Sequence, residues 1–144
     1  NGGFSSYQSE YPYKMTPIKG SVATSLASVT NFNADKNYIF FKNIYELPIQ
    51  KKFKIYIVDL KEKKIKTFFE AKTNYSNFFE IKKEYILPEM FMVSKNYVGI
   101  PIYISEKNGH ISVEHTNPPN SNILNSDRID IVKKFKRELN EIIN

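Results

Sequence analysis

The dipeptide Asn108-Gly109 constrains this chain more than any other feature of its sequence. It joins two runs, Ile100–Lys107 and His110–His115, in which apolar and polar residues alternate. Asn and Gly both tolerate positive φ, as a two-residue type I′ turn requires, and that turn matches the right-handed twist of paired strands. Register follows directly. Lys107 opposes His110, Glu106 opposes Ile111, Ile104 opposes Val113 and Ile102 opposes His115. Because side chains alternate across a strand, one face carries Ile102, Ile104, Ile111, Val113 and His115. Tyr103, Ser105, His110, Ser112 and Glu114 share the other. The two histidines of the chain therefore fall on opposite faces of one hairpin.

Other segments read the same way. Ile18–Val29 is β-branched, small and loosely alternating, and is expected to contain a strand. Asn31–Asn37 is rich in turn formers. Tyr38–Lys42 reads as a short strand buried on at least one side. Leu47-Pro48 interrupts the segment that follows. Phe53–Leu60 and Ile65–Ala71 form a second expected hairpin, with Phe53, Ile55, Ile57, Ile65, Phe69 and Ala71 inward. Thr73–Asn77 is a turn, Phe78–Ile81 a strand, and Pro88 a candidate opener of one helical turn. Ser126 suits an N-cap for a closing helix over 125–144. Its Val132, Phe135, Leu139 and Ile142 form one apolar stripe.

Many short strands separated by turn signals predict a mainly β fold with a C-terminal α-helix. The sheet part is expected to be an antiparallel β-sandwich, Ig-like or prealbumin-like, or a partly open barrel. The organisation expected is an N-terminal arm over 1–16, a β-rich domain over 17–124 and the helix packed upon it. Three segments carry a resemblance: Gly20-Ser-Val22, Lys54-Ile-Tyr-Ile-Val-Asp-Leu60 and Thr73-Asn-Tyr-Ser-Asn-Phe-Phe-Glu-Ile81. Together they resemble the prealbumin-like sandwich of carboxypeptidase regulatory domains, in which a strand, a T-D-x-x-G-x-F-type turn and another strand recur. Here the turn lacks its glycine. The resemblance implies a sandwich and a non-catalytic role.

A chain of 144 residues suits one domain, able to bury about 70% of its unfolded surface. Frequent Phe, Ile, Lys and Asn point to an AT-rich genome. The net charge of +6 would draw the protein toward acidic partners, nucleic acid or anionic lipid. The basic residues are spread along the chain, however, as ordinary solubilising charge is. There is no cysteine, which excludes disulfides, thiolate nucleophiles and thiolate metal sites. The chain opens on Asn1 without an initiator methionine, so removal of a signal peptide is expected, and with it export to the periplasm or cell surface. No apolar run is long enough to span a membrane.

Catalytic constellations are not evident. His110, Glu114 and His115 lack the helical spacing of a zinc-protease motif. On a strand, His110 and Glu114 are about 13 Å apart. No serine sits in a nucleophile elbow, and no glycine-rich loop could cradle phosphate. No catalytic residue, metal ligand or cofactor is therefore assigned.

Two segments are candidates for binding. Met90, Phe91 and Met92 are adaptable apolar contact residues, and would otherwise be core. Glu114, His115 and Asn117 gather charge and amide groups beside Pro118-Pro119, where a rigid loop would leave the sheet.

The function expected is a non-catalytic binding or assembly module acting through protein–protein contacts. Its partner would be another protein, with homo-oligomerisation through the C-terminal helix a further option. The first alternative is a nucleic-acid-binding β-barrel using a basic and aromatic hairpin face: Lys54, Tyr56, Lys66, Phe68 and Lys72. The second is a hydrolase or metal-dependent enzyme centred on His115.

Overall fold

Alternation of buried and exposed positions runs along strand after strand, and the chain folds as two antiparallel sheets. The computed structural model describes residues 21–43, 47–95, 99–115 and 128–144. The expectations placed on the arm 1–16, on Asn117 and its loop, and on Ser126 lie outside these residues. So do the side chains of His115 and Val132.

The strands are β1 (Ser21–Ser25), β2 (Lys36–Asn43), β3 (Lys52–Asp59) and β4 (Lys64–Lys72), followed by β5 (Ser76–Ile81), β6 (Met90–Lys95), β7 (Gly99–Lys107) and β8 (His110–His115). The first sheet has the order β1-β6-β3-β4 and the second β5-β2-β7-β8. This is a sandwich, not a closed barrel. Leu26, Ile39, Phe41, Ile55, Ile57, Met92 and Tyr103 fill the space between the sheets. A helix, α2 (Arg128–Ile143), lies on the other face of the first sheet. There Phe135, Leu139 and Ile142 pack with Val58, Val93 and Phe91. The apolar stripe of the helix is thus used within the chain.

The β7–β8 hairpin has the register that Asn108-Gly109 demands, from Lys107 opposite His110 to Ile102 opposite His115. Asn108 and Gly109 have φ of 50° and 77°. The Asn108 N–H donates to Asp35 Oδ2 at 2.9 Å, which ties the turn to the entry of β2.

Three local differences have physical causes. The strand expected within 18–29 is β1, and the rest of that segment adds an unexpected helical turn, α1 (Leu26–Val29). Leu26 plugs the core, and the Thr30 hydroxyl donates to its carbonyl at 2.6 Å. The helical turn expected at Pro88 comes earlier, as a 3₁₀ turn over Lys83–Tyr85, and Met90–Lys95 is a strand. Finally, a bulge shifts the β3–β4 register between Ile57 and Val58, so that Lys66 has no opposite residue. Ile65 then pairs with Val58 and stands exposed, not inward as its alternation implied.

The turn over Thr73–Asn77 carries the chain from one sheet to the other. Thr73 Oγ1 accepts from the Lys51 N–H at 2.8 Å and donates to the Ile49 carbonyl at 2.9 Å. Asn74 takes the positive φ, 50°. Asn77 Oδ1 accepts from the Lys72 N–H, and its amide donates to the carbonyls of Phe41, Lys72 and Tyr75. Side-chain amides thus satisfy the backbone of a turn that has no glycine.

Candidate interaction surface

The two faces of the second sheet differ from what a solvated sandwich normally presents. The inner face carries Ile39, Phe41, Phe79, Ile81 and Tyr103, all in the core or packed on it. The outer face would ordinarily be polar. Instead, rows of apolar side chains run across the strands. One row places Phe78, Phe40 and Ile102 opposite one another, and the next places Glu80, Tyr38, Ile104 and Val113. Ile111 continues the face on β8 beside Glu106. Tyr38 stacks on Phe78 at 4.9 Å between ring centroids, and Phe40 meets the same ring edge-on at 6.2 Å. Phe78 is 53% exposed, Val113 50% and Ile111 69%.

This face was only partly visible in the sequence. The set Ile102, Ile104, Ile111 and Val113 follows from the Asn-Gly register, but Tyr38, Phe40 and Phe78 were not assigned to it. The available signal was the unbroken run Tyr38–Phe41, which is apolar on both faces of an antiparallel strand.

The expected contact residues on β6 lie elsewhere. Met90 and Met92 are buried between the sheets, and Phe91 packs edge-on against Phe135 at 5.0 Å beneath α2. β6 is an interior strand, paired on both sides, so its two faces enter two different cores. Adjacent apolar residues are what such a strand needs. Burial removes Met90 and Met92 from the surface on which a partner contact was expected, and Phe91 is half-buried against the helix.

Glu114 is exposed on β8. With Ser112, Ser105 and Tyr103 it forms one wall of an open groove of about 420 Å³, whose other wall is Ser28–Asn31. Ser105 Oγ donates to Asn37 Oδ1 at 2.8 Å, and that buried amide also holds the Asn31 backbone from both sides. Below the groove the Tyr103 hydroxyl is buried beside Thr24 without a hydrogen bond of good geometry. Burial pushes this phenol up to about 12, against a small opposing pull from Thr24. His115 opposes Ile102 at the end of β8. Among the described residues, no three His, Asp or Glu side chains are grouped to hold a metal ion. No described helix is long and apolar enough to cross a membrane.

The basic hairpin face has its cations occupied. Lys52 pairs with Glu70 at 2.7 Å. Lys64 and Lys66 both reach Glu62, whose carboxyl their hydrogen bonds hold down at about 2. Lys66 also approaches Asp59 at 3.4 Å. The Asp59 carboxyl is held low chiefly by the Glu62 backbone N–H, then by Lys66. The Lys54 ammonium sits 4.3 Å from the centre of the Phe68 ring, and Lys72 lies over Tyr75. Tyr56 is partly covered in the cluster beneath α2.

No protein-family model, curated protein or solved structure matches the chain.

Proposed function

We propose that this protein is a non-catalytic binding or assembly module that works through protein–protein contact, and that the outer face of the β5-β2-β7-β8 sheet is its contact surface. One observation carries the reading: Phe78, Ile111 and Val113 stand exposed on a sheet face that also holds Tyr38, Phe40 and Ile104. Scattered surface apolar residues need no explanation, but a contiguous apolar face usually meets another surface. Tyr and Phe are also the residue types enriched where interfaces are fully buried.

The test is a cross-linked pull-down of tagged protein from its own cells, washed at low and high salt, with wild type and Phe78→Glu in parallel. A small, salt-resistant set of proteins bound by wild type and lost from the variant, with unchanged melting, is the expected result. Identical recovery by both proteins overturns this choice of surface. Nucleic acid that is released at high salt would favour the basic hairpin as the working face. The proposal includes export to the periplasm or cell surface, which fractionation of the producing cells checks.

A further inference from the structure

Strand β8 ends its sheet: among the described residues it pairs only with β7. Its residues from His110 to Glu114 are all exposed. Edge strands are normally protected by lysine, proline or a bulge. β4, at the edge of the other sheet, has such protection in Lys64, Lys66, Lys72 and the bulge opposite Ile57/Val58. β8 has none of the three between its ends.

Which backbone groups point outward follows from the turn. In a two-residue hairpin the flanking pair, Lys107 and His110, exchanges hydrogen bonds, and the pattern then alternates. Ser112 and Glu114 therefore turn their N–H and C=O groups toward β7. Ile111 and Val113 turn theirs to the free edge.

The sequence around this edge is its own complement. If a second β8 approaches antiparallel with Ser112 opposite Ser112, Ile111 meets Val113, and both have free backbone groups to exchange. His110 meets Glu114 on the other face, and each pair occurs twice by symmetry. Shifting the register by two residues in either direction loses the His110–Glu114 match.

We infer that β8 is a homodimerisation strand: two copies of this chain join edge to edge about a twofold axis at Ser112, giving one continuous eight-stranded sheet. The inference rests on the contact-surface reading and names its first partner. The two apolar outer faces become one surface twice as wide, available to a further protein.

The absence of cysteine makes the test clean. Ser112→Cys places two thiols in a non-hydrogen-bonded pair with Cα atoms about 4.5 Å apart, within disulfide range. Glu114→Cys places its thiol about 13 Å from its own copy along the strand. Under mild oxidation at 0.15 M salt, Ser112→Cys should form a covalent dimer within minutes, and the double variant His110→Cys/Glu114→Cys should do so as well. Glu114→Cys alone should remain monomeric. In sedimentation, wild type should rise from 16.8 kDa toward twice that mass with concentration. His110→Glu should weaken association about tenfold, because both symmetric pairs turn repulsive together, and adding Glu114→Lys should restore it. All these positions are exposed, so wild-type melting verifies the fold of each variant.

Equal cross-linking of Ser112→Cys and Glu114→Cys, or a monomer at every concentration with no cross-link, overturns the inference. If the dimer fails while Phe78→Glu still loses its partners in the pull-down, the contact surface stands and only the homodimer falls.

Discussion

Tyr103 shows how one buried polar atom sets a pH limit. Its ring is needed between the sheets, but its hydroxyl lies buried without a good partner. Removing such a hydroxyl costs little, because no hydrogen bond is lost. Tyr103→Phe is therefore expected to leave stability at neutral pH unchanged or raise it by up to about 1 kcal/mol. At high pH the variants should diverge. The folded phenol titrates near 12 and the unfolded one near 10, so the native state binds its proton more tightly. Its contribution is complete below pH 10 and is lost as pH rises from 10 to 12. Urea titrations across that window should show wild type losing about 3 kcal/mol relative to Tyr103→Phe. A difference that does not depend on pH would mean the hydroxyl is solvated. Met92 gives a second single-residue prediction. It is fully buried in an interior strand, and Met92→Ala should cost about 2–5 kcal/mol by the usual cavity penalty. A loss below about 1 kcal/mol would return this segment to the surface.

At the scale of elements, hairpin β7–β8 depends on its turn. Gly109 has φ of 77°, and a Cβ there would meet nothing within 4 Å, so substitution is penalised through the backbone alone. Gly109→Ala should cost about 1–2 kcal/mol, read as a fall in urea midpoint with unchanged slope. A neutral outcome would mean the turn relaxes into another type. This hairpin was legible in the sequence because its determinants are local: two turn residues and strict alternation decide every partner. Helix α2 was legible for the same reason, since Phe135, Leu139 and Ile142 recur at helical spacing and meet Val58 and Val93 as an apolar stripe should. The bulge at Lys66 was not, because nothing in Lys64–Thr67 distinguishes a bulged residue from a paired one. Met90–Met92 was legible as apolar but not as interior. Both neighbours of β6 come from distant parts of the chain, β1 on one side and β3 on the other. The contact face was hidden likewise: Phe78 and Phe40 become neighbours only when β5 pairs with β2, and Val113 joins them only through β7.

At the scale of the whole molecule, layers explain which surfaces are free. The first sheet is packed between the second sheet and α2; among the described residues, the second sheet packs on another layer through its inner face. The sheet order has a further consequence, for time instead of shape. Of the six strand pairings, β3–β4 and β7–β8 join consecutive strands, one in each sheet, and the remaining four bring together segments far apart in sequence. Local hairpins close in about 1–10 μs, but long-range pairings wait on loop closure, so the complete sandwich should refold on the order of milliseconds to seconds. Stopped-flow refolding checks this, and completion within microseconds would contradict the pairing. During that interval the local β7–β8 hairpin is expected to expose its edge while β2 has yet to pair with β7. Refolding yield should then fall as protein concentration rises, since the strand that suits a second copy can meet one before its own sheet is finished.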